Sequence, residues 1–379
     1  MLSSQYIISL FYSSFFIVVG LLGIGFLIGF HELGHFIFCK VFNIRTPSFS
    51  IGMGPRILKK KIGETEFSLS LLPLGGYVEI AGSAEVGQGD QKEAYSKDER
   101  SFAVKPYYQK MLVMAGGILF NFIFAYLTLS FLYFVGMPKT PFLYPLHASN
   151  IISNIDDETP AAQAHLRSGD TILAFNKTPI HNAAELINLI KDLPNTPAQL
   201  LIERQGKQEQ VELILGAREI NQKNIGFLGV EFEIPRFGVI DSIKYGISAT
   251  NYLIAHIFSA FKNIFSGREL NNLGGPLMVI SQTVKGAEKG FKIFMLLLAF
   301  ISINLAILNI IPLPIMDGGQ ALFYTIEAII GKSLNEKIRE YIHYATWILL
   351  LILVIYLSIK DVITIFGLKG LFTKLFGKN

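Results

Sequence analysis

The first thirty residues of the chain, Met1 to Phe30, contain no Lys, Arg, Asp or Glu, and the sequence HELGH follows them directly. A charge-free run of this length can cross a bilayer as a helix. On a helix, His31 and His35 lie four residues apart on one face, so their imidazoles can converge on one metal ion. Because ionisable side chains at membrane depth are costly, we expect these histidines to have a function.

The HExxH pattern indicates a zinc metalloprotease, since it supplies two zinc ligands and, in Glu32, a general base for an attacking water molecule. A catalytic zinc needs a third protein ligand. The acidic residues within or beside the later apolar segments are Asp317, Glu327 and Asp361. Asp317 follows two prolines in "IIPLPIMDGG", and broken backbone at membrane depth lines a site or a cavity. We therefore predict Asp317 as the third ligand.

The composition indicates a membrane protein, because 51% of the 379 residues are hydrophobic. Four segments are long enough and sufficiently free of charge to span a bilayer. They are Tyr6 to Phe30 running on through HELGH, Met111 to Met137, Ile293 to Met316, and Tyr341 to Ile359. The formal net charge is only +4, and no patch combines arginines with aromatic residues, which argues against nucleic-acid binding. The single cysteine, Cys39, excludes an intrachain disulfide.

The distribution of basic residues predicts the orientation of the spans. Lys40 to Lys110 holds eleven Lys or Arg residues, so by the positive-inside rule this loop is cytoplasmic and the N-terminus is extracytoplasmic. The third span then runs inward and brings Asp317 to the same side as the histidines. A fifth apolar segment, Tyr245 to Phe261, is marginal in length and contains Asn251 and His256. We predict that it forms an amphipathic helix at the membrane surface.

Asn150 to Arg218 reads as a water-soluble α+β domain. Thr159 and Pro160 are predicted to begin a helix, "NAAELINLIKDL" forms a second one, and Gln205-Gly206 turns a hairpin. The sequence "DETPAAQAHLRSGDTILAFNKTPI" resembles a PDZ domain. Such a domain captures extended peptides at a sheet edge, but it can equally serve only to exclude bulky substrates from a membrane site. The fold does not decide between these uses.

The sequence thus divides into eight segments. In chain order they are a first span with HExxH (1–40), a cytoplasmic loop (41–110), a second span (111–137), an extracytoplasmic PDZ-like domain (138–236), interfacial amphipathic helices (237–290), a third span with the broken segment (291–340), a fourth span (341–360) and a basic tail (361–379).

Three motifs in three separate spans together resemble the site-2 protease family of intramembrane zinc metalloproteases. They are HELGH, the glycine-rich "AGGILFNF" and "NLAILNIIPLPIMDGG". With its single PDZ-like insert after span two and its match through the C-terminal half, the chain is similar to the bacterial regulator-of-sigma-E protease branch of that family. The resemblance implies that Asn304 and Asn309 hold the backbone of an unwound substrate helix. It also implies a set of catalytic residues, namely zinc ligands His31, His35 and Asp317 with Glu32 as general base.

The resemblance further implies that Phe49 to Ile80 forms a membrane-reentrant β-sheet. The expected fold is therefore a polytopic α-helical membrane protein with four transmembrane helices, this sheet and one soluble PDZ-like domain. A substrate helix must be drawn into an extended strand before attack, and strand pairing replaces its hydrogen bonds. The expected protein is a zinc endopeptidase of the bacterial inner membrane. Its expected substrates are single-pass membrane proteins, such as anti-sigma-factor-like proteins or signal-peptide remnants.

Two other classes of function remain open from the residues alone. One is a membrane scaffold that uses the PDZ-like domain, with a vestigial metal site. The other is a metal-ion transporter, although no paired internal repeats are evident. Asn304 and Asn309 can also form interhelical hydrogen bonds, and Gly116, Gly117 and Asn121 can serve only close helix packing.

Overall fold

The structure is a computed structural model of the chain. It describes residues 4–83, 93, 96–138, 143, 148–220, 223–266, 273–332 and 334–365. The chain forms two compact units, one of residues 1–129 with 250–379 and one of residues 130–249. The described α-helices are α1 Ser4–Val41, α2 Tyr107–Val135, α3 Pro160–Gln163, α4 Ala183–Ile190, α5 Val239–Phe265, α6 Pro276–Glu288, α7 Phe291–Ile310, α8 Asp317–Ile330 and α9 Glu336–Ile365.

The strands fall into two groups along the chain. The first group is β1 Ser48–Ile62 and β2 Thr65–Glu79. The second group is β3 Ile152–Ile155, β4 Thr171–Phe175, β5 Thr178–Pro179, β6 Pro197–Arg204, β7 Lys207–Ile214, β8 Gly216–Ile220, β9 Lys223–Phe227 and β10 Val230–Phe232.

Four of the described helices are long and apolar enough to cross a membrane, and they coincide with the four predicted spans. Their apolar segments are Tyr12–Val41, Tyr107–Val135, Phe291–Ile310 and Lys337–Ile365. The bounds differ from the prediction because charge-free runs were counted, whereas α2 and α9 continue through charged residues at their ends. The third helix ends earlier than predicted, at Ile310, because Pro312 and Pro314 cannot continue it.

In the first unit, α1 and α7 pack side by side and run in the same direction. Gly23 lies against Phe294, and one α-helical turn further along both helices Leu27 packs with Leu298. The C-terminal end of α7 therefore lies at the end of α1 that carries the two histidines. This is the relative direction that the sequence predicts for the first and third spans.

The second helix, α2, runs opposite to α1 along its length. Its Gly116 meets Gly34 near the end of α1, and Phe124, two turns later, packs against Phe30. A Cβ on Gly34 would lie 2.2 Å from the Gly116 carbonyl oxygen, so the two backbones are in direct contact. Only glycine permits such an approach.

The β1–β2 segment forms a bent hairpin beside α1. Phe49 pairs with both Phe67 and Val78, so the first part of β1 lies between two parts of β2. Phe36 of α1 packs its ring on Phe49 and Phe67, which anchors the sheet to the helix. The hairpin coincides with the sheet predicted over Phe49 to Ile80, and its entry into a membrane stays a prediction.

The second unit contains the predicted short strands and helices. A four-stranded sheet has the order β5-β4-β6-β7, and the predicted turn at Gln205-Gly206 joins β6 to β7. Thr159 caps α3 by accepting a hydrogen bond from the Ala162 N–H, with Pro160 in the first turn, as predicted. The sequence did not predict β8, β9 and β10. Of these, β10 pairs with β3 and β8 pairs with β9, in two separate two-stranded sheets.

Asp170 and Arg204 form an ion pair that ties the start of β4 to the end of β6. Arg204 donates from Nε and Nη2 to the two carboxylate oxygens at 2.8 and 2.7 Å, and Asp170 is 2% exposed. Burial alone raises the pKa of Asp170, but the hydrogen bonds from Arg204 and from the Arg167 N–H outweigh it and hold that pKa below its ordinary value.

The helices predicted at the membrane surface are α5 and α6. Among the described helices, α5 is not one of the four long apolar spans. It lies alongside α2, with the Tyr126 hydroxyl donating to Asn251 Oδ1 at 2.6 Å. In α6, Val284 packs against Gly20 of α1. The sequence anticipated neither contact, and an interfacial location stays a prediction. The basic tail beyond residue 365 lies outside the described residues.

Candidate active site

The structure brings His31, His35 and Asp317 together at one point. The Nε2 atoms of the two imidazoles are 3.3 Å apart. Asp317 Oδ2 lies 3.3 Å from His31 Nε2, and Asp317 Oδ1 lies 3.4 Å from His35 Nε2. Both histidines are buried, at 8% and 6% exposure. The three side chains form a group that could hold a metal ion.

The spacing of these donor atoms fits zinc. Ligand atoms at the usual zinc distances, arranged tetrahedrally, lie about 3.3–3.5 Å from one another. The two Nε2 atoms lie 3.3 Å apart, within that range, and each lies at a similar distance from an oxygen of Asp317, with Oδ2 3.3 Å from His31 and Oδ1 3.4 Å from His35. Asp317 Oδ2 is buried and has no hydrogen-bond partner, which suits an atom whose partner is a cation. Two neutral imidazoles and one carboxylate are also the donor set of known catalytic zinc sites.

Asp317 reaches the histidines because the chain turns back tightly after α7. A Cβ on Gly318 would lie 2.3 Å from the Ile310 carbonyl oxygen, and one on Gly319 would lie 2.0 Å from the Leu313 carbonyl oxygen. Both positions therefore require glycine. The turn places Asp317 in the first turn of α8, where the helix dipole favours a negative charge.

The first part of α2 packs directly against the two imidazoles. A Cβ on Gly117 would lie 2.5 Å from both His31 Cε1 and His35 Nε2. The glycines of "AGGILFNF" serve close helix packing, which was one of the two interpretations of the sequence. Gly117 also leaves the space that the imidazole rings occupy. No other residue type fits at that position without displacing the rings.

The same helix provides a polar contact to the second nitrogen of each imidazole. His35 Nδ1 lies 2.8 Å from the Val113 carbonyl oxygen, and His31 Nδ1 lies 3.0 Å from Asn121 Nδ2. Such contacts orient histidine ligands and fix their tautomer. The sequence predicted neither of these two contacts. A polar Asn121 within an apolar span was the only signal, and a backbone carbonyl leaves none.

Glu32 lies between the metal-ligand candidates and the β-sheet. Its carboxylate accepts a hydrogen bond from the Val78 N–H and interacts electrostatically with His35 and Asp317. Its Cγ lies 3.5 Å from the position that a Cβ on Gly76 would take. Among the described residues, the 76–79 part of β2 pairs on one side with 48–51 of β1 and with no strand on its other side, and its Val78 N–H donates to Glu32. A strand edge therefore lies beside the carboxylate.

The two asparagines of α7 occupy different positions. The Asn304 side chain donates to the Phe300 carbonyl oxygen at 2.8 Å, within its own helix. Asn309 is 9% exposed in the last turn of α7, and its carbonyl oxygen lies against Gly318. Asn309 is thus next to the turn that carries Asp317, while Asn304 is more than one helical turn before it.

The other acidic residues weighed as ligands are engaged elsewhere. Asp361 accepts hydrogen bonds from the Gly275 and Met278 N–H groups and thereby caps α6. Glu327 accepts one from the Leu334 N–H at 3.0 Å. Neither carboxylate belongs to the group around His31, so among these candidates the structure favours Asp317.

Comparison with known families matches residues 19–353 to "Peptidase family M50". The chain belongs to peptidase family M50. Several curated relatives are similar to this chain over almost their whole length. A putative zinc metalloprotease of Campylobacter jejuni is 32% identical, with 94% of this chain and 95% of the relative covered. A putative zinc metalloprotease of Clostridium perfringens is 31% identical, over 92% and 98%.

A third relative is named for its regulatory role. The regulator of sigma-W protease RasP of Bacillus subtilis is 26% identical, with 90% of this chain and 97% of the relative covered. Among solved structures, a PDZ domain of an SdrC-like protein from Listeria monocytogenes matches 22% of this chain and 84% of its own, with 23% identity and a TM-score of 0.20.

Family membership and the four long apolar helices identify the chain as an integral membrane protein. As an M50 peptidase with zinc metalloproteases as relatives, it is a zinc-dependent hydrolase. The expectations of an enzyme, of a zinc cofactor and of the site-2 protease family are confirmed. The scaffold and transporter alternatives lose their support.

Proposed function

We propose that this M50 peptidase is an intramembrane endopeptidase that cleaves single-pass membrane proteins within or beside their transmembrane segment. The observation that carries the proposal is the convergence of His31, His35 and Asp317 inside a set of helices long and apolar enough to cross a membrane. A peptide bond that reaches this point must come from a segment that itself lies in or at the bilayer.

In the proposed mechanism, His31, His35 and Asp317 would hold a zinc ion, which would supply a Lewis acid for the scissile carbonyl and lower the pKa of water. Glu32 takes the proton from the attacking water and delivers it to the leaving amine. The close contact of α2 with both imidazoles keeps the ligands buried and limits the access of bulk water.

The strand edge beside Glu32 supports a route for substrate. A transmembrane helix hides its peptide bonds, so it must unwind before hydrolysis. A substrate strand that pairs with the 76–79 edge would regain backbone hydrogen bonds and lie next to Glu32. We propose that Asn309, in the last turn of α7 and next to the turn that carries Asp317, holds the substrate backbone. Asn304 would need to release the Phe300 carbonyl oxygen to take the same role.

The proposed substrates are single-pass proteins such as anti-sigma-factor-like proteins, because one relative carries the name "Regulator of sigma-W protease RasP". Signal-peptide remnants are a second group with the same chemistry, a single short apolar helix. The proposed location is the bacterial inner membrane. The active site would lie toward the cytoplasm, and the N-terminus and PDZ-like domain outside, as the basic loop between α1 and α2 favours.

The test compares the wild-type chain with Glu32→Gln in membranes that contain a tagged single-pass substrate. We expect a shorter product from the wild type, its loss when zinc is chelated, and no product from Glu32→Gln. The variant should still bind zinc, because Glu32 is not a proposed ligand. As a matched control, Glu327→Gln exchanges a carboxylate that accepts a hydrogen bond from the Leu334 N–H in the α8–α9 connection, and this variant should keep cleavage. Equal product from wild type and Glu32→Gln contradicts the proposal.

A further inference from the structure

Asn121 of α2 is fully buried and carries an unexplained polar atom. Its Nδ2 lies 3.0 Å from His31 Nδ1, while its Oδ1 is buried with no hydrogen-bond partner. A buried amide oxygen without a donor is costly, so the arrangement calls for a partner. The backbone of Asn121 is fixed independently, because its carbonyl oxygen accepts from Ser302 Oγ of α7 at 2.9 Å.

The chemistry of a metal-binding imidazole identifies that partner. An imidazole that uses Nε2 for a metal carries its proton on Nδ1. His31 Nε2 points at Asp317, so its Nδ1 is the nitrogen that must donate. A half-turn of the Asn121 amide about χ2 exchanges its oxygen and its nitrogen without moving any other atom. After that exchange Oδ1 accepts from His31 Nδ1–H, and Nδ2 takes the buried position that Oδ1 held.

We propose that Asn121 is a positioning residue for the metal centre, whose amide oxygen accepts from His31 Nδ1–H and thereby keeps the Nε2 lone pair directed at the metal. This inference rests on the proposed zinc ligands and deepens the proposed function. It gives α2 one role toward both histidines, because the Val113 carbonyl oxygen already accepts from His35 Nδ1 at 2.8 Å. Acceptors of this kind orient ligand rings and raise their basicity.

One competing acceptor for His31 is present. The backbone of Gly117, one helical turn before Asn121, also forms a hydrogen bond with His31. If the Gly117 carbonyl oxygen alone holds Nδ1–H, then the Asn121 side chain is dispensable for metal binding. The two arrangements make opposite predictions for a variant that removes only the amide.

The experiment measures zinc affinity of the purified full-length chain by competition with a chromogenic chelator. Asn121→Leu keeps the volume and removes the acceptor, whereas Asn121→Asp keeps an acceptor at the same place. We expect Asn121→Leu to bind zinc about 10–100-fold more weakly than the wild type. Asn121→Asp should restore most of that affinity. Thr128→Val, a buried polar-to-apolar exchange seven residues further along α2, serves as the matched control and should bind zinc as the wild type does.

Two results would overturn the inference. Wild-type affinity in Asn121→Leu would show that Gly117 holds the ring. Equal loss in Asn121→Leu and Asn121→Asp would show that Asn121 only packs between helices. Asn121→Ala adds no volume and tests the same acceptor loss if the leucine variant does not purify in a folded form. Failure of the proposed function is distinguishable, since cleavage by Glu32→Gln refutes that function without changing the zinc affinities of the Asn121 series.

Discussion

Gly117 of α2 lies directly against His31 of α1, so closely that a Cβ on Gly117 would be 2.5 Å from His31 Cε1 and 2.7 Å from His31 Nε2. Real Cβ atoms do not approach other atoms to such distances. One methyl group at this position must therefore displace the imidazole or push the two helices apart. The geometry of the proposed metal centre is thus set by a helix that contributes no ligand.

Gly117→Ala is expected to lower proteolytic activity by about 100-fold or more, because a misplacement of about 1 Å at a reacting centre has effects of this size. Its zinc affinity should fall as well. The measurement is cleavage of a tagged single-pass substrate, together with zinc content. Gly238→Ala is the matched control, since a Cβ on Gly238 meets nothing within 4 Å. Full activity in Gly117→Ala would contradict the described contact.

A hydrogen-bond network links the turn that carries Asp317 to α9. Gln320 donates to the Pro314 carbonyl oxygen at 2.9 Å and accepts from Arg339 Nη2 at 2.6 Å. The Arg339 guanidinium also lies over the rings of Phe323 and Tyr324. An ionisable residue within an apolar helix is retained where it has such partners. The network braces the backbone beside Asp317.

Gln320→Leu is expected to lower activity and zinc affinity about tenfold, because it removes the side-chain contacts to Pro314, Arg339 and His343 while keeping the volume of the side chain. The readouts are the rate of substrate cleavage and the chelator competition. On α9, Thr346 donates only within its own helix, to the Ile342 carbonyl oxygen, so Thr346→Val is a suitable control. Unchanged values for Gln320→Leu would mean that the turn is held by its glycines alone.

The Asp170–Arg204 ion pair predicts acid sensitivity of the second unit. The pKa of Asp170 is lower in the folded chain than in the unfolded one. Its stabilisation is therefore complete above the unfolded pKa of about 3.9 and is lost as the pH falls through the lower, folded value. Near neutral pH, Asp170→Asn should reduce the free energy of unfolding of this unit by about 2 kcal/mol.

Amide hydrogen exchange of β4 and β6 in the full-length chain measures this effect. Wild-type protection should fall as the pH drops below about 4, whereas Asp170→Asn should begin with lower protection and depend less on pH in that window. Identical pH profiles for the two chains would show that the ion pair does not stabilise the unit.

The sequence predicted the main elements of the site because those signals are local. HELGH within an apolar run fixes two side chains on one helix face, and the two prolines before Asp317 mark the break that lets a carboxylate return. Counting spans then predicted that α1 and α7 run in the same direction, and the packing of Leu27 against Leu298 agrees.

The contacts that complete the site could not be predicted, because they depend on the register between helices. Nothing in a span indicates that the Val113 carbonyl oxygen will face His35, or that Gly76 will lie beside Glu32. The strands β8 to β10 were missed for another reason. They are three to five residues long, and strands this short carry little periodicity.

The proposed mechanism depends on His31, His35 and Asp317 holding one zinc ion between them. The most direct test is the zinc content of the purified full-length chain after equilibration with zinc at low concentration. We expect about one zinc per wild-type chain, little or none in Asp317→Asn, and the wild-type amount in Asp361→Asn, whose carboxylate caps α6 instead. Wild-type zinc content in Asp317→Asn would contradict it.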